Sequence, residues 1–408
     1  MFEEIIKNTK KELQKQFERT EEIALFNQKK ILDAFRAERI ALRHFAPTTG
    51  YGYDGDGRAA LNNVYARAFG AEKAVVSPNI VSGTHALSLG LFAILRPGDD
   101  FVSATGMPYD TLVEVIYGDG IGSLKDYGVT FTSIPLKNDR IDEEKVLAYA
   151  IEKKPKMVYF QRSRGYEWRS SLTIGEMETF FAKLRSVGYE GCIFVDNCYG
   201  EFVEEREPTD VGADVIAGSL IKNAGGGLAP TGGYVAGKEK YITLAENRLT
   251  APSIGGEVGS YAYGYQYYFQ GLFLAPHTVK QAIDGSMLIG AALSDLGYET
   301  MPAKGELPAD ITRSVKFDTE RELTAFIQSV QDVSPVDSFV TLEAWEMPGY
   351  EHKVIMAAGC FVQGSSIELS ADAPICKPYV AYVQGGLTFE HCVIALERII
   401  GKLQQDKI

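Results

Sequence analysis

From the N-terminus to about residue 45, apolar residues recur every three or four positions, with no glycine or proline before Pro47. That spacing puts them on one side of a helix. "APTTGYGYDGDGR" then interrupts the pattern with four glycines in a turn-rich loop. Beyond it, short β-rich apolar runs alternate with longer helical periods. "KAVVSP" (73–78) reads as a strand and "GTHALSLGLFAIL" (83–95) as a helix. "DDFVSAT" is a strand, "TLVEVIYG" a helix and "VTFTSIPL" a strand. "EKVLAYAIEK" is a helix before the strand "KMVYFQ", and "IGEMETFFAKLRSVG" a helix before "CIFVDN" and the further strand "ADVIAGSLIK". Such alternation predicts βαβ units and a mostly parallel sheet.

After residue 285 the texture changes. "MLIGAALSDLGYET" is helical, "SVKFDT" and "FVTLEA" read as strands, and "CVIALERIIGKL" closes the chain as an amphipathic helix. The expected organisation is an N-terminal helical segment (1–45), a large α/β domain (46–285) and a small C-terminal α+β domain (286–408). The length of 408 residues agrees with more than one core. Neither an internal repeat nor a low-complexity tract interrupts this plan.

Composition narrows the function classes. The net charge is −13, without the clustered basic face a nucleic-acid binder needs. The five cysteines form no CxxC pair, and their odd, scattered placement reads as reduced thiols. "MFEEIIKNTKKELQKQ" mixes acids with bases around no apolar segment, unlike a targeting peptide. No apolar run is long enough to span a membrane. A cytoplasmic protein without membrane partners is the simplest expectation. The five histidines have no HxxH or HxxxH spacing, so no metal site is expected. G-x-S-x-G and P-loop motifs are absent too. The tyrosine-rich stretch "YAYGYQYYFQGLF" (261–273) reads as interface or core.

Ligands of open α/β sheets sit beyond the carboxyl ends of the strands, where four candidates fall. "SGTHA" turns from strand to helix, and Ser82, Gly83 and Thr84 offer backbone N–H groups, room and hydroxyls for a phosphate. The same turn also reads as an ordinary helix cap. Asp196 ends the apolar run "CIFVD", where an unpaired carboxylate is costly. Lys222 stands alone among seven glycines in "AGSLIKNAGGGLAPTGGYVAG" (217–237), with Ser219 three residues before it. Together a phosphate turn, then an acid, then a lysine match what pyridoxal phosphate requires. Its phosphate needs a cradle, its ring nitrogen an acid and its aldehyde a lysine.

The chain resembles fold-type I pyridoxal-phosphate enzymes. It is particularly similar to the cystathionine β-lyase-like or methionine γ-lyase-like family named for aluminium resistance. "TGYGYDGDGR", "VSGTHAL", "QRSRGYEWR", "VDNCYGEF", "GSLIKNAGGGLAPTGGYVAG", "QGLFLAPH" and "GSSIELSADAP" carry the resemblance over residues 46 to 390. It implies the aspartate aminotransferase-like fold, a large domain with a mostly parallel sheet plus a smaller C-terminal α+β domain. It also implies a carbon–sulfur lyase for cystathionine, cysteine, methionine or a similar amino acid, acting by β- or γ-elimination. By the same resemblance Gly83 and Thr84 cradle the phosphate with Ser82 and Ser219, Tyr109 stacks on the ring, Asp196 meets the ring nitrogen and Lys222 holds the aldehyde. Tyr199 matches a tyrosine that related aminotransferases place near the ring hydroxyl. Tyr53 and Arg58 resemble a pair that reaches the neighbouring subunit's phosphate, which implies a homodimer or a homotetramer.

Two departures from the family pattern stand out. Ile221 precedes the lysine where related lyases carry threonine. The arginine that usually clamps the substrate carboxylate is missing near the C-terminus, where "SADAPICKPYVAYVQGG" offers only Lys377. Arg162, Arg164 and Arg169 in "QRSRGYEWR" are the alternatives, because lysine lacks the forked geometry. An aminotransferase, or a non-catalytic stress or resistance protein retaining the fold, are the rival expectations.

Overall fold

The computed structural model describes residues 2–347 and 351–406. The apolar stripe of the N-terminal segment forms two helices, α1 (Phe2–Glu12) and α2 (Gln14–Ala37), followed by a 3-10 turn at Leu42–Phe45. The next elements are α3 (Asp56–Ala68), β1 (Lys73–Ser77), α4 (Gly83–Ile94), β2 (Asp100–Ser103), α5 (Asp110–Tyr117), β3 (Thr130–Ser133), α6 (Glu143–Lys153), β4 (Met157–Gln161), α7 (Ile174–Ser186) and β5 (Cys192–Asp196). β6 (Val215–Ser219), β7 (Gly233–Gly237) and α8 (Glu239–Leu249) complete the large sheet and its cover.

Its seven strands run in the order β1-β7-β6-β5-β4-β2-β3. β7 is antiparallel to both of its neighbours, and the pairs from β6 to β3 are parallel. Every residue of β4, β5 and β6 is buried, as expected for strands covered by helices on both faces. The register sets Gln161 beside Asp196 and Asp196 beside Ala217, so the polar ends of three adjacent parallel strands meet at one edge of the sheet. At that edge α7 begins with a reciprocal cap: Thr173 Oγ1 accepts from Glu176 N (3.2 Å), and Glu176 Oε2 accepts from Thr173 N (2.9 Å).

The boundary expected at residue 285 falls inside α9 (Gln266–Asp295), so "MLIGAALSD" is the C-terminal part of one 30-residue helix. Tyr265, Tyr268 and Phe269 of the tyrosine-rich stretch lie in the core, while Tyr263 is 85% exposed. Past α9, β8 (Glu299–Met301), β9 (Thr312–Phe317), α10 (Glu320–Gln331), β10 (Val354–Ala357), β11 (Ser370–Pro374), β12 (Tyr379–Gln384) and α11 (Phe389–Asp406) build the small domain. Its antiparallel sheet runs β10-β11-β12-β9-β8. Val315, Phe317, Ala371, Ala373, Ala381 and Val383 share a core with the helices. By strand alternation Ser314, Asp372 and Tyr382 lie on the other face. "FVTLEA" is not a strand: Phe339 is 85% exposed, and only Trp345 makes a bridge, to Val354. A β-rich composition without a face to bury does not hold a strand.

Candidate functional site

The three strand ends bring the expected residues together. Asp196 is buried, and its Oδ1 accepts the Cys198 amide at 3.0 Å. The Cys198 thiol also bonds this carboxyl, and among the described residues Oδ2 meets the Tyr159 hydroxyl at 3.5 Å, a distance that leaves room for a stronger donor. Burial raises the Asp196 pKa from its ordinary value, against the opposing pull of the Lys222 charge and the Cys198 donors. Past β6 a 3-10 turn at Asn223–Gly225 fixes Lys222. Asn223 ties this turn to the Asp196 loop by donating from Nδ2 to the carbonyls of Tyr199 and Glu201, both at 3.0 Å. Burial opposes the charge on Lys222, but Cys198, Tyr199, Asp196 and Tyr109 around it overcome that penalty and hold the amine well above its usual pKa.

Tyr199 lies beneath this lysine, with Nζ 4.1 Å from the ring centroid. Its backbone takes φ 71°, a costly left-handed conformation for a tyrosine, and its hydroxyl bonds Ser366 Oγ of the small domain at 3.0 Å. Ile221 faces the same small-domain loop: a Cβ on Gly364 would lie 3.8 Å from its Cδ1. Where the family pattern has threonine, this chain therefore sets an apolar side chain beside the small-domain loop.

The turn expected to cradle a phosphate is the N-terminus of α4. Ser82 caps it, accepting the His85 amide at 3.0 Å, so this hydroxyl serves the helix. The amides of Gly83 and Thr84 precede the first helical bond, from Ala86 N to Ser82 O at 3.0 Å. A Cβ on Gly83 would lie 3.4 Å from Ser219 Cβ, 3.5 Å from Cys198 Sγ and 4.0 Å from Lys222 Nζ. Glycine keeps that space open. Ser219 Oγ is buried beside it without a hydrogen-bond partner among the described residues. An orphan hydroxyl next to free helix amides suits a phosphate, so these residues fit pyridoxal phosphate on structural grounds alone. Tyr109 is placed from two directions: its hydroxyl bonds Thr84 Oγ1 and its amide bonds Gln161 Oε1, both at 2.9 Å. Burial raises its pKa, keeping the phenol neutral.

The three arginines separate by their partners. Arg162 is buried and donates to Asn197 Oδ1 (2.9 Å), Gly200 O (2.8 Å), Glu204 Oε1 (2.9 Å) and Leu172 O (3.3 Å). Arg169 donates to Glu167, Ser170, Gln161 and Ser163. Each nitrogen of both guanidiniums is engaged in stapling the loop after β4, which argues against the expectation that either clamps a substrate. Arg164 is different. Its Nη1 reaches Met301 O (2.7 Å) and Ser314 Oγ (3.3 Å), but Nε and Nη2 are buried without hydrogen-bond partners among the described residues. Asp310 is 3.9 Å from Arg164 Nη2, and buried Arg313 adds a second positive charge to the cluster. A buried pair of guanidiniums with one buried carboxylate, Asp310, and the exposed Glu306 farther out calls for a further anion.

Arg58 is committed within its own chain. It donates to the carbonyls of Gly52 (2.9 Å), Gly256 (3.1 Å), Glu257 (3.0 Å) and Gly259, stapling the glycine-rich loop, while Tyr53 remains 63% exposed. Lys377 is exposed. Sequence reasoning missed Gln161, Tyr159, Cys198 and Ser366. Gln161 ends β4, Cys198 lies two residues past β5 and Tyr159 is two residues before the end of β4, so their nearness to strands already singled out was a usable signal. Ser366 meets Tyr199 across 167 residues, which nothing local announces. Buried Glu201 was missed as well. Its Oε1 accepts the Tyr234 hydroxyl at 2.7 Å, its Oε2 has no hydrogen-bond partner among the described residues, and burial pushes its pKa up to about 8. No group of three or more His, Cys, Asp or Glu among the described residues could hold a metal ion.

The methionine gamma-lyase family model matches residues 2–404. The uncharacterized protein YnbB of Bacillus subtilis is 47% identical over 392 residues, covering 95% of this chain and 93% of its own. A carbon-sulfur lyase involved in aluminum resistance from Clostridium novyi is 45% identical, with TM-score 0.94 over 98% of this chain and 95% of that one. The pyridoxal-5'-phosphate dependent protein YhfS of Escherichia coli shares the fold at 18% identity, with TM-score 0.63 over 93% of this chain and 96% of that one.

Proposed function

We propose that this chain, which belongs to the methionine gamma-lyase family, is a pyridoxal-phosphate-dependent carbon–sulfur lyase for an amino acid with sulfur in its side chain. The observation that carries the reading is the convergence of Lys222 Nζ, the Cys198 thiol beside Asp196, and the orphan Ser219 hydroxyl around the space that Gly83 leaves open. When bound, pyridoxal phosphate supplies an electron sink for the pair left at the substrate α-carbon.

The chain's own residues do the rest. Ser219 and the amides of Gly83 and Thr84 hold the phosphate. Asp196, dry and open at Oδ2, holds a positive ring nitrogen. Tyr109 covers the ring, oriented by Thr84 and Gln161. Lys222 holds the aldehyde at rest and moves the proton at the substrate α-carbon once displaced. Arg164, with two unsatisfied donors, takes the α-carboxylate in place of the missing C-terminal arginine.

The test has two parts. Borohydride reduction of the purified holoenzyme should fix the cofactor on the peptide containing Lys222; any other peptide rejects the assignment. With L-cystathionine, L-cysteine or L-methionine as sole substrate, thiol or sulfide, ammonia and 2-oxo acid should appear together through many turnovers. Activity that requires an added oxo acid and releases no ammonia would make the protein an aminotransferase.

A further inference from the structure

Tyr199 occupies a backbone position that a tyrosine rarely takes. Its φ of 71° lies in the left-handed region, which ordinarily falls to glycine. A glycine does follow it, but Gly200 makes room for Arg162: a Cβ there would lie 2.5 Å from Arg162 Nη1. The strained position is left to the tyrosine, and its surroundings hold it there. Asn223 Nδ2 donates to its carbonyl at 3.0 Å, its hydroxyl bonds Ser366 Oγ at 3.0 Å, and its side chain packs against the main core. Strain held in place by its surroundings points to a side chain that is put to use.

What the ring faces shows the use. Lys222 Nζ lies 4.1 Å from the ring centroid and 4.0 Å from where a Cβ on Gly83 would stand. The amine is therefore within contact distance of both the space kept for the cofactor and an aromatic face. A ring face attracts a cation most strongly where burial opposes its charge, as burial does here. The hydroxyl end of the same ring answers to the small domain. Ser366 belongs to a loop braced by Glu368, whose carboxylate accepts the amides of Phe361 (2.8 Å) and Val362 (2.9 Å). Gly364 of that loop also faces Ile221, the residue before the lysine.

We propose that Tyr199 is a positioning residue: its face seats the Lys222 ammonium set free when a substrate amino group takes the aldehyde, and its bond to Ser366 ties that seat to the small domain. The inference rests on Lys222 holding the aldehyde and is independent of which substrate bond is broken later. In the exchange Lys222 gives up its bond to the aldehyde carbon and the incoming nitrogen bonds that carbon instead. The protons that the incoming ammonium loses pass to the freed lysine, so charge and hydrogen balance. The equilibrium then turns on how well each nitrogen is housed. The ring houses the lysine as a cation, whereas an aliphatic side chain of similar bulk would leave the charge unmet.

The test is the binding of 2-methylalanine to the holoenzyme, followed by the change in the cofactor's absorption band. This amino acid can displace Lys222 but has neither an α-hydrogen nor a leaving group, so the titration reads the exchange alone. Tyr199→Phe keeps the face and should bind the probe within about threefold of the unmodified protein, whereas Tyr199→Leu should bind it about tenfold more weakly. Phenylalanines carrying one, two and three ring fluorines at position 199 keep the shape and drain the face of negative potential step by step. Affinity should fall with each fluorine, a trend that a packing role does not produce. Ser366→Ala should behave as Tyr199→Phe does, and the two together no worse than either. Affinity independent of fluorination, or a Tyr199→Leu variant that binds as the unmodified protein does, overturns the seat. Losses that add in the double variant overturn its tie to the small domain. Borohydride labelling of a peptide without Lys222 would sink the cofactor assignment itself, whereas a flat fluorine series with Lys222 labelled overturns the role of Tyr199 alone.

Discussion

At the scale of single residues the site depends on carboxyls kept from water. Replacing Asp196 by asparagine preserves the shape and removes the charge proposed to face the ring nitrogen. The variant should retain the cofactor while turnover falls about a hundredfold or more, the usual cost of losing an oriented charge at a reacting centre. Near-normal turnover in steady-state assays would place the ring-nitrogen partner elsewhere. Glu201 makes a second, pH-dependent case. Its folded pKa of about 8 exceeds the ordinary value of 4.5, so between those values the folded state holds a proton that the unfolded state has lost. Its contribution therefore destabilises the fold progressively as pH rises from about 4.5 to 8 and is constant above. Glu201→Gln keeps an acceptor for Tyr234 and removes the titration. It should raise the melting temperature above pH 8, by the equivalent of a few kcal/mol at most, with the gain vanishing near pH 5. A gain that is the same at both pH values would show that Glu201 does not titrate in this range.

Among the elements, the lysine turn is held by close backbone contact with α9 as well as by the side chains of Asn223, Tyr65 and Thr278. Gly271 of α9 faces Gly225 so closely that a Cβ there would fall far inside the van der Waals limit of the Gly225 carbonyl. Gly226, at φ 57°, presses its own Cα face against the Gly271 carbonyl. Glycine inside a helix ordinarily costs about 1 kcal/mol relative to alanine, so Gly→Ala there is usually stabilising. At position 271 the sign reverses. Gly271→Ala should lower stability by roughly 2 kcal/mol or more in thermal unfolding, since two rigid backbones must separate. It should also loosen Lys222, seen as faster loss of cofactor on dialysis. A variant as stable as the parent would mean the turn yields without strain.

For the whole molecule, the question is whether one chain makes a complete site. With Arg58 bound to four carbonyls of its own chain, Tyr53 is the member of the expected pair left to reach a neighbour. A homodimer, or a tetramer of dimers, built around this loop should show complementation. Tyr53→Ala and Lys222→Ala subunits, inactive apart, should regain up to half of one activity per mixed dimer when co-expressed, because one site recovers both residues. Confirmed heterodimers without activity would assign the loop to its own subunit.

From β1 to β6 the order of strands and helices was legible because the central strands are continuous apolar runs buried on both faces and the helices between carry their own period, whereas α3, the glycine-flanked β7 and α8 went unread. Asp196 and Lys222 were legible for a related reason: each is a charged residue at the end of such a run, where chain order alone puts it at the ligand edge. Composition could not decide the small domain. "FVTLEA" has a strand's residues and no sheet to join, whereas "SADAP" has few of them and is β11, because pairing partners on both sides hold it. The choice among Arg162, Arg164 and Arg169 was equally closed to the sequence. All three sit within eight residues in one loop, and only the tertiary structure spends the donors of two on nearby carbonyls and carboxylates and leaves the third open. A residue's type fixes what bonds it can make. Which of those bonds the fold leaves unmade depends on contacts between distant segments, and no local pattern encodes them.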